Sequence, residues 1–220
     1  MTKIKCAQRL LQFACFQIHK LILLQKIHYI KFQRLVSNSY VPAYKPTTTK
    51  GEYFPSLVLE TSILECRLVD LPVINKFPTS SEEEWQNYRH FGLRSADAYL
   101  LVYDVTTPSS FRFIQFIREQ IAMSRGLGEV PIVVAANKTD LVKDDLAKES
   151  DRETSRLRHD SSTKVKKAWK LNHVECSAKY NWNITTVFRE LAAEILEVRN
   201  RNNGGNGKVE TEECCLVCMR

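Results

Sequence analysis

Glycine is absent from residues 1–50 of this 220-residue chain, although the chain holds seven glycines in all. Successive backbone N–H groups can wrap a phosphate only in conformations that glycine allows, and the known phosphate loop reads G-x-x-x-x-G-K-[S/T] after a strand. No Lys-Ser or Lys-Thr pair occurs in this stretch to open a helix. The N-terminal segment therefore contains no candidate for a phosphate cradle.

Acidic residues are also absent from residues 1–51, and Glu52 is the first of them. The same stretch carries nine Lys and Arg side chains, whereas the remaining 169 residues carry 23 basic and 25 acidic ones. Three interpretations of such a basic, apolar-rich segment stay open. It forms a basic amphipathic helix on an anionic membrane, it is a targeting segment, or it packs wherever it fits.

Long hydrophobic runs are missing as well. Residues 10–19 form a ten-residue uncharged run that Lys20 ends, which is too short to span a membrane. The seven cysteines show no disulfide framework, and the Cys-x-x-Cys pair at 215–218 has no second half for a metal site. Cys66 and Cys176 lie in strand-like runs and are predicted to be buried thiols. These features favour a cytoplasmic globular protein with one main domain.

Two apolar runs in the C-terminal half each end in a short polar motif. Residues 131–136 (PIVVAA) precede the motif at 137–140 (NKTD), and residues 173–176 (HVEC) precede the motif at 177–179 (SAK). Apolar runs of this length are typical of buried parallel strands. Since ligands bind outside the carboxyl ends of such strands, the sequence predicts a ligand site where these two motifs meet.

The residue types in these motifs suit a guanine base. The Asp140 carboxylate only accepts hydrogen bonds, and guanine offers two adjacent donors that adenine lacks. Asn137 serves the base edge or ties the two loops together, and the aliphatic stem of Lys138 can lie along the flat base. A backbone N–H near Ala178 can donate to the guanine carbonyl oxygen.

The chain here resembles the Ras-like small GTPases. Its NKTD and ECSAK (175–179) segments match that family's NKxD and SAK motifs in order and spacing. Residues 93–96 (LRSA), 70–72 (DLP) and 177–182 (SAKYNW) look most like the divergent Ras-like 10 branch. The resemblance implies an α/β fold, a mostly parallel six-stranded sheet with helices on both faces. The first strand and phosphate loop are expected to be altered or missing.

The resemblance also implies a nucleotide site for GTP or GDP and Mg²⁺. Thr47 matches the first switch threonine, with Thr48 as the alternative, and Asp70 matches the magnesium aspartate. A plain Pro-Thr loop entering an edge strand is the other interpretation. The implied site residues are Thr47, Asp70, Asn137, Lys138, Asp140, Ser177, Ala178 and Lys179, with Thr47 and Asp70 at the metal.

No catalytic residue is assigned, because the family's switch glycine and glutamine are Val73 and Ile74 here. An Ile side chain cannot orient a water molecule, so we expect slow GTP hydrolysis at best. GTP hydrolase activity rests on the resemblance alone. Two functions are therefore predicted: a guanine-nucleotide signalling switch with impaired hydrolysis, or a pseudo-GTPase interaction scaffold that does not bind nucleotide appreciably.

Three parts of the chain are predicted: a basic segment at 1–37 that replaces the phosphate-loop region, a GTPase-like domain at 38–199, and a Cys-rich tail at 200–220. A variant transcript or a mispredicted start would explain the first part, and so would a genuine pseudo-GTPase. In the last helix, Asn183 is the predicted cap, with a core stripe at Ile184, Val187, Phe188, Leu191 and Ile195. Residues 200–207 are predicted to break that helix as a flexible linker.

We expect a monomer that binds effector or regulator proteins through loops at roughly 40–54 and 70–90. Lys164, Lys166 and Lys167 are attributed to a solvated helix face, because the acids at 144–153 neutralise them, so no nucleic-acid partner is expected. Prenylation in its usual form is disfavoured, since Val217 stands fourth from the end. Palmitoylation of Cys214 and Cys215 is one hypothesis for contact with the inner face of the plasma membrane, and a thiol-bearing tail is the alternative.

Overall fold

The computed structural model describes residues 19–25, 47–59, 63–126, 128–142 and 149–203. Several predictions fall outside the described residues. They concern residues 1–18 and 26–37 of the basic segment, the first part of the loop at 40–54, the first of the acids at 144–153, and Cys214 and Cys215 in the tail.

The described elements alternate between strands and helices along most of the chain. The strands are β1 His19–Gln25, β2 Gly51–Tyr53, β3 Ser56–Val58, β4 Ile63–Asp70, β5 Ala98–Asp104, β6 Ile132–Asn137 and β7 Asn172–Glu175. The helices are α1 Ser81–Asn87, α2 Pro108–Arg125, α3 Glu149–Thr163 and α4 Ile184–Asn203, with a 3-10 turn at Thr139–Leu141 and π turns at Lys164–Trp169 that continue α3.

The strands form one sheet in the order β2-β4-β1-β5-β6-β7, with β3 also paired to β4. Along the spatial order β4-β1-β5-β6-β7 every pair of neighbouring strands is parallel. β2 and β3 run antiparallel to β4. This confirms the predicted α/β fold with a mostly parallel sheet. Seven strands are seen where six were predicted. The extra one arises because β2 and β3 share one register against β4 but are separated at Pro55, which has no N–H to donate.

The N-terminal segment supplies the central strand. β1 lies between β4 and β5, with Leu23 opposite Asp70 and Leu21 opposite Ala98. Leu21 and Ile22 are fully buried, one on each face of the sheet. The first strand is therefore altered in sequence rather than missing. For residues 19–25 the membrane-helix interpretation is wrong, because this apolar run is needed to fill the middle of the sheet.

Helices cover both faces of the sheet, as predicted. On one face α4 packs through the predicted stripe, all of which is buried: Ile184, Val187, Phe188, Leu191 and Ile195. On the other face α2 packs through Phe111, Ile114, Ile117 and Ile121. Cys66 and Cys176 are buried, as expected, and burial raises the pKa of each thiol to about 12.

α2 begins at Pro108, since proline suits the first helical turn. One helix boundary differs from its prediction. α4 continues to Asn203, so the predicted break at residue 200 is wrong. Asn and Arg cost only tenths of a kcal/mol in a helix, and the first strong helix breaker is Gly204. No helix in the described part of the chain is long and apolar enough to cross a membrane.

A buried polar group joins β5, α3 and β7. The Tyr103 hydroxyl lies 2.6 Å from Ser161 Oγ and 3.0 Å from His173 Nε2. Burial lowers the pKa of His173 from 6.5 to about 4, so this imidazole is neutral at pH 7. It therefore acts as an uncharged packing and hydrogen-bonding group of the core.

The depressed pKa of His173 predicts that stability decreases in weak acid. Between pH 6.5 and pH 4 the unfolded chain binds a proton at this site and the folded chain does not, so stability present above pH 6.5 is lost as the pH falls. We expect a loss of about 2 kcal/mol from this group between pH 7 and pH 5.

Urea unfolding at pH 7, 6 and 5 measures this effect. The pH dependence should be weaker by that amount in His173→Gln and unchanged in His159→Gln, which alters an exposed histidine on α3. Equal slopes for His173→Gln and the wild type would contradict the assignment.

Candidate functional site

Two hydrogen bonds join the polar motifs that follow β6 and β7. Asn137 is buried at the end of β6, and its side-chain Oδ1 accepts from the backbone N–H of Ala178 at 3.1 Å. The Thr139 hydroxyl donates to the carbonyl of Cys176 at 2.9 Å. Of the two roles weighed for Asn137, the structure displays the one that ties the loops together.

Asp140 lies in the 3-10 turn and is held from the second loop. Its Oδ1 accepts from the Ser177 hydroxyl at 2.6 Å, and Ser177 Oγ also lies 3.3 Å from the Tyr180 N–H. Ser177 is buried, whereas Asp140 is only partly so. The Asp140 carboxylate is therefore oriented by a buried hydroxyl and still reaches the surface.

Lys138 has a partner that sequence reasoning missed. Its Nζ lies 2.7 Å from Oδ2 of Asp104, a buried carboxylate at the end of β5. Burial raises the pKa of Asp104, but the hydrogen bonds from Lys138 and Thr106 outweigh this effect and hold the pKa below 3.8. Knowledge of the strand register would reveal this partner, because Asp104 lies opposite Asn137, the residue before Lys138, across β5 and β6.

The backbone of Lys138 is left-handed, with φ of 65°. This conformation is uncommon for residues other than glycine and concentrates at functional sites. It lets the chain turn sharply between the buried Asn137 and the partly exposed Asp140. Lys179, the last residue of the second motif, stays at the surface, with Nζ 4.8 Å from the ring centroid of Tyr180.

Together these residues place a carboxylate and a lysine stem at the carboxyl edge of β6 and β7, while the Ala178 N–H is taken by Asn137. A carboxylate offers about four acceptor positions, and the Ser177 hydroxyl takes one of them. Acceptor capacity therefore remains for two adjacent donors. These acceptor positions on Asp140 fit the two adjacent donors of a guanine base.

The predicted metal residues also lie together. The Thr47 hydroxyl donates to Oδ2 of Asp70 at 3.1 Å, and Thr48, the alternative, is exposed. Asp70 is buried at the end of β4, next to the end of β1. A hydroxyl and a carboxylate are ligands that suit Mg²⁺, so this pair fits one side of a magnesium site. Such an ion, when bound, would neutralise phosphate charge.

The position after β4 that matches the family's water-orienting glutamine holds an apolar side chain. Ile74 is only 2% exposed and packs in the core with Leu71 and Phe77, whereas Val73 is 50% exposed. The side chain at the family's glutamine position therefore points into the protein. Because Ile74 fills part of the core, isoleucine in place of the family's glutamine changes the packing of the loop as well as its chemistry.

The residues that follow β1 do not fit a phosphate loop. The six residues that follow β1, at 26–31 (KIHYIK), contain no glycine, and they lie outside the described residues. The structure therefore brings together the residues predicted for a base and those predicted for a metal ion, whereas the sequence after β1 lacks the residue types of a phosphate loop.

The two expected switch segments contact one another in their described parts. Lys50 Nζ donates to the carbonyl of His90 at 2.7 Å. The first segment is also held to the sheet, since Arg67 of β4 donates to both carboxylate oxygens of Glu52 at 3.0 and 2.7 Å. Phe54 and Trp85 are more than half exposed on these segments. The exposed aromatic side chains supply surface that a protein partner can cover.

Comparison with known proteins agrees with this geometry. Residues 31–197 match the sequence model of the Ras family. The chain is 35% identical to human Ras-like protein family member 10B over 165 residues, which cover 74% of this chain and 77% of that protein. It is 32% identical to mouse Ras-like protein family member 10A over 166 residues, covering 72% and 75% respectively. With the NKTD and SAK motifs joined at the edge of a Ras-like sheet, this chain belongs to the Ras family and is a divergent Ras-like GTPase.

Proposed function

We propose that this protein is a signalling protein that binds guanine nucleotides through the loops after β6 and β7. The observation that carries the proposal is the joined pair of motifs, in which Asn137 binds the Ala178 N–H while Ser177 orients Asp140. Small GTPase-type signalling is the general role of the family. Binding of GTP or GDP with Mg²⁺ is the part proposed for this chain.

The affinity is expected to be weak. Phosphate groups normally contribute through charge-assisted hydrogen bonds from a phosphate loop, and the chain has no glycine before Gly51 to build one. Base recognition by Asp140 and the Thr47–Asp70 pair at the metal remain. We therefore expect binding in the micromolar range, about −8 kcal/mol.

Replacing Asp140 tests base recognition directly. With Mg²⁺ present, calorimetry should detect GDP and GTP binding to the wild type. Because one hydrogen bond to a charged group contributes about 1.5–3 kcal/mol and Asp140 is expected to accept two, Asp140→Ala should weaken binding by at least about ten- to a hundredfold. Asp140→Asn should shift preference towards xanthosine nucleotides, since its amide donates to the extra xanthine carbonyl.

Asp160→Ala, which removes an exposed carboxylate on α3, is the matched control and should bind like the wild type. Equal affinity of the wild type and Asp140→Ala would reject the proposed base site. Absence of heat with either nucleotide would instead favour the second candidate function.

The second candidate is a pseudo-GTPase interaction scaffold. The contact that favours it is internal: the Lys138 ammonium pairs with the buried Asp104, so the protein itself satisfies this group. Partner binding would then use the switch segments in the described ranges 47–54 and 70–90, where Phe54 and Trp85 are exposed.

Impaired GTP hydrolysis is part of the leading proposal. Its support is the burial of Ile74 in the core, which leaves no polar atom to orient water at that position. The exposed Val73 replaces the glycine before it, and Pro72 restricts the loop further. No other described residue is assigned a catalytic role.

Two glutamine variants separate packing from chemistry. Ile74→Gln should lower the free energy of unfolding by about 3 kcal/mol, because it removes core contacts and buries an amide. It should not accelerate GTP turnover. Val73→Gln, at an exposed neighbour, should change stability by less than about 0.5 kcal/mol. Urea unfolding and single-turnover hydrolysis give both readouts, and a stable Ile74→Gln with faster turnover would contradict the proposal.

We further propose a cytoplasmic protein that contacts the inner face of the plasma membrane through acylated Cys214 and Cys215. The support is compositional: the three cysteines at 214, 215 and 218 cluster in the tail, and the N-terminal segment is basic. Both signals would be needed, since a single acyl chain gives only marginal membrane binding.

Hydroxylamine-sensitive acyl exchange tests the lipid. Labelling of the wild type in cells should fall to background in Cys214→Ser/Cys215→Ser, whereas Cys66→Ser, at a buried thiol in the sheet, should label like the wild type. Equal labelling of the double variant and the wild type would reject acylation at these two residues.

A further inference from the structure

The guanidinium of Arg94 contacts two serine hydroxyls on different helices. Its Nη1 donates to Ser81 Oγ on α1 at 2.7 Å, and its Nε donates to Ser124 Oγ on α2 at 3.2 Å. Glu84 accepts from the backbone N–H of Arg94, and no described carboxylate forms an ion pair with its guanidinium. A guanidinium has several N–H donors and a permanent charge, so Arg94 retains donors and charge for an anion.

The Ser81 hydroxyl is accessible from solvent. Ser81 is exposed and is the first residue of α1, a helix of seven residues of which none is buried. Segments with few buried contacts open locally at a small cost in free energy. An enzyme can therefore reach this hydroxyl and bind the residues around it without unfolding the sheet.

The two hydroxyls that precede Ser81 have a different role. Ser80 Oγ accepts from the backbone N–H of Glu83 at 3.0 Å, and the Thr79 hydroxyl donates to the Glu83 carboxylate at 2.7 Å. Both contacts hold the first turn of α1 together. Of these three neighbouring hydroxyls, only that of Ser81 contacts a cationic side chain.

Three consecutive glutamates follow Ser81, at positions 82–84. A protein kinase with a basic substrate groove selects such a segment by complementary charge. Glutamates also repel a phosphate, but Glu83 is paired with Lys76 at 2.8 Å, and Arg94 supplies a further positive charge beside Ser81. The glutamates therefore determine which class of kinase recognises the segment, and Arg94 provides the group that binds the phosphate.

We propose that Ser81 is a phosphorylation site of an acid-directed serine/threonine kinase, and that the guanidinium of Arg94 binds the phosphate. In the transfer, Ser81 Oγ bonds the γ-phosphorus of ATP, the bond from that phosphorus to the oxygen of ADP breaks, and a base of the kinase takes the hydroxyl proton. The phosphate carries a charge of about −1.5 to −2 at pH 7. Its oxygens replace the neutral hydroxyl as acceptors, and a guanidinium binds them in a charge-assisted pair.

Phosphorylation at this position strengthens the connection between α1 and α2. Arg94 already holds Ser124 of α2, and Ser124 donates in turn to the carbonyl of Pro78, just before α1, at 2.9 Å. A phosphate on Ser81 would therefore anchor the start of α1, the helix that carries the exposed Trp85. The modification does not require nucleotide binding, because none of these residues belongs to the proposed base or metal site.

Incubation of the full chain with casein kinase II, an acid-directed kinase, and with ATP and Mg²⁺ tests the modification. Mass spectrometry should locate a phosphate on Ser81 in the wild type, and Ser81→Ala should lose it. Ser80→Ala is the matched control, since it removes a neighbouring exposed hydroxyl beside the same glutamates and should still be phosphorylated at Ser81. A wild type without phosphate at Ser81 would overturn the proposal, and so would unchanged labelling of the 79–81 segment in Ser81→Ala.

Full chain with phosphoserine incorporated at position 81 during translation tests the role of Arg94. Hydrogen exchange of the α1 amides should slow by about threefold or more relative to the unmodified chain. In ³¹P NMR titration the second pKa of the phosphate should rise when Arg94→Gln removes the cation, and rise less in Arg94→Lys, which keeps the charge.

Phosphoserine at position 80 is the control for that titration and should respond little to Arg94→Gln, because the Ser80 hydroxyl contacts Glu83 instead. Unchanged exchange from β5 reports intact folding of each variant. An equal phosphate pKa with and without Arg94 would overturn the proposal, as would an equal response at position 80 or faster exchange of α1 after phosphorylation.

Discussion

The hydrogen bond from the Ala178 N–H to the Asn137 side chain is the contact on which the site depends. Asn137 ends β6 and Ala178 follows β7, and both residues are buried. A buried amide and a buried backbone N–H are costly without partners, so each loop satisfies a group that the other exposes. Once the loops are joined, Ser177 stands beside Asp140 and Lys138 turns back to Asp104. The polar surface that we propose as a base site is thus a consequence of joining two strand ends.

The central strand of the sheet restricts the amino-acid sequence less than a phosphate loop does. β1 is enclosed by β4 and β5, and its position demands apolar side chains on both faces, which Leu21 and Ile22 provide. Many apolar sequences can meet that demand. A phosphate loop, in contrast, needs glycine at fixed positions. An N-terminal segment without glycine can therefore complete the fold of this family and still lack the phosphate cradle, because packing and phosphate binding depend on different properties of the same segment.

Local patterns predicted the parts of the molecule that depend on local chemistry. The apolar runs before NKTD and SAK gave β6 and β7, and helical spacing gave the buried face of α4. Sheet register was not predictable, so the pairing of Lys138 with Asp104 was missed, although Asp104 lies opposite Asn137. The burial of Tyr103 against His173 was missed for the same reason, since 70 residues separate them in sequence. The place of residues 19–25 in the sheet also depends on pairing with two distant strands, which no local pattern encodes.

The protein's own bonds hold both switch segments, and this bears on how the protein can signal. Thr47 binds Asp70, Lys50 binds the His90 carbonyl, and the Phe77 N–H donates to Gln120 on α2 at 2.6 Å. Ile74 adds a buried apolar contact between these points. A ligand shifts a conformational equilibrium only by its difference in affinity for the two states. A ligand that reorganised these segments would therefore have to bind the reorganised state more tightly by at least the free energy of the contacts that it broke.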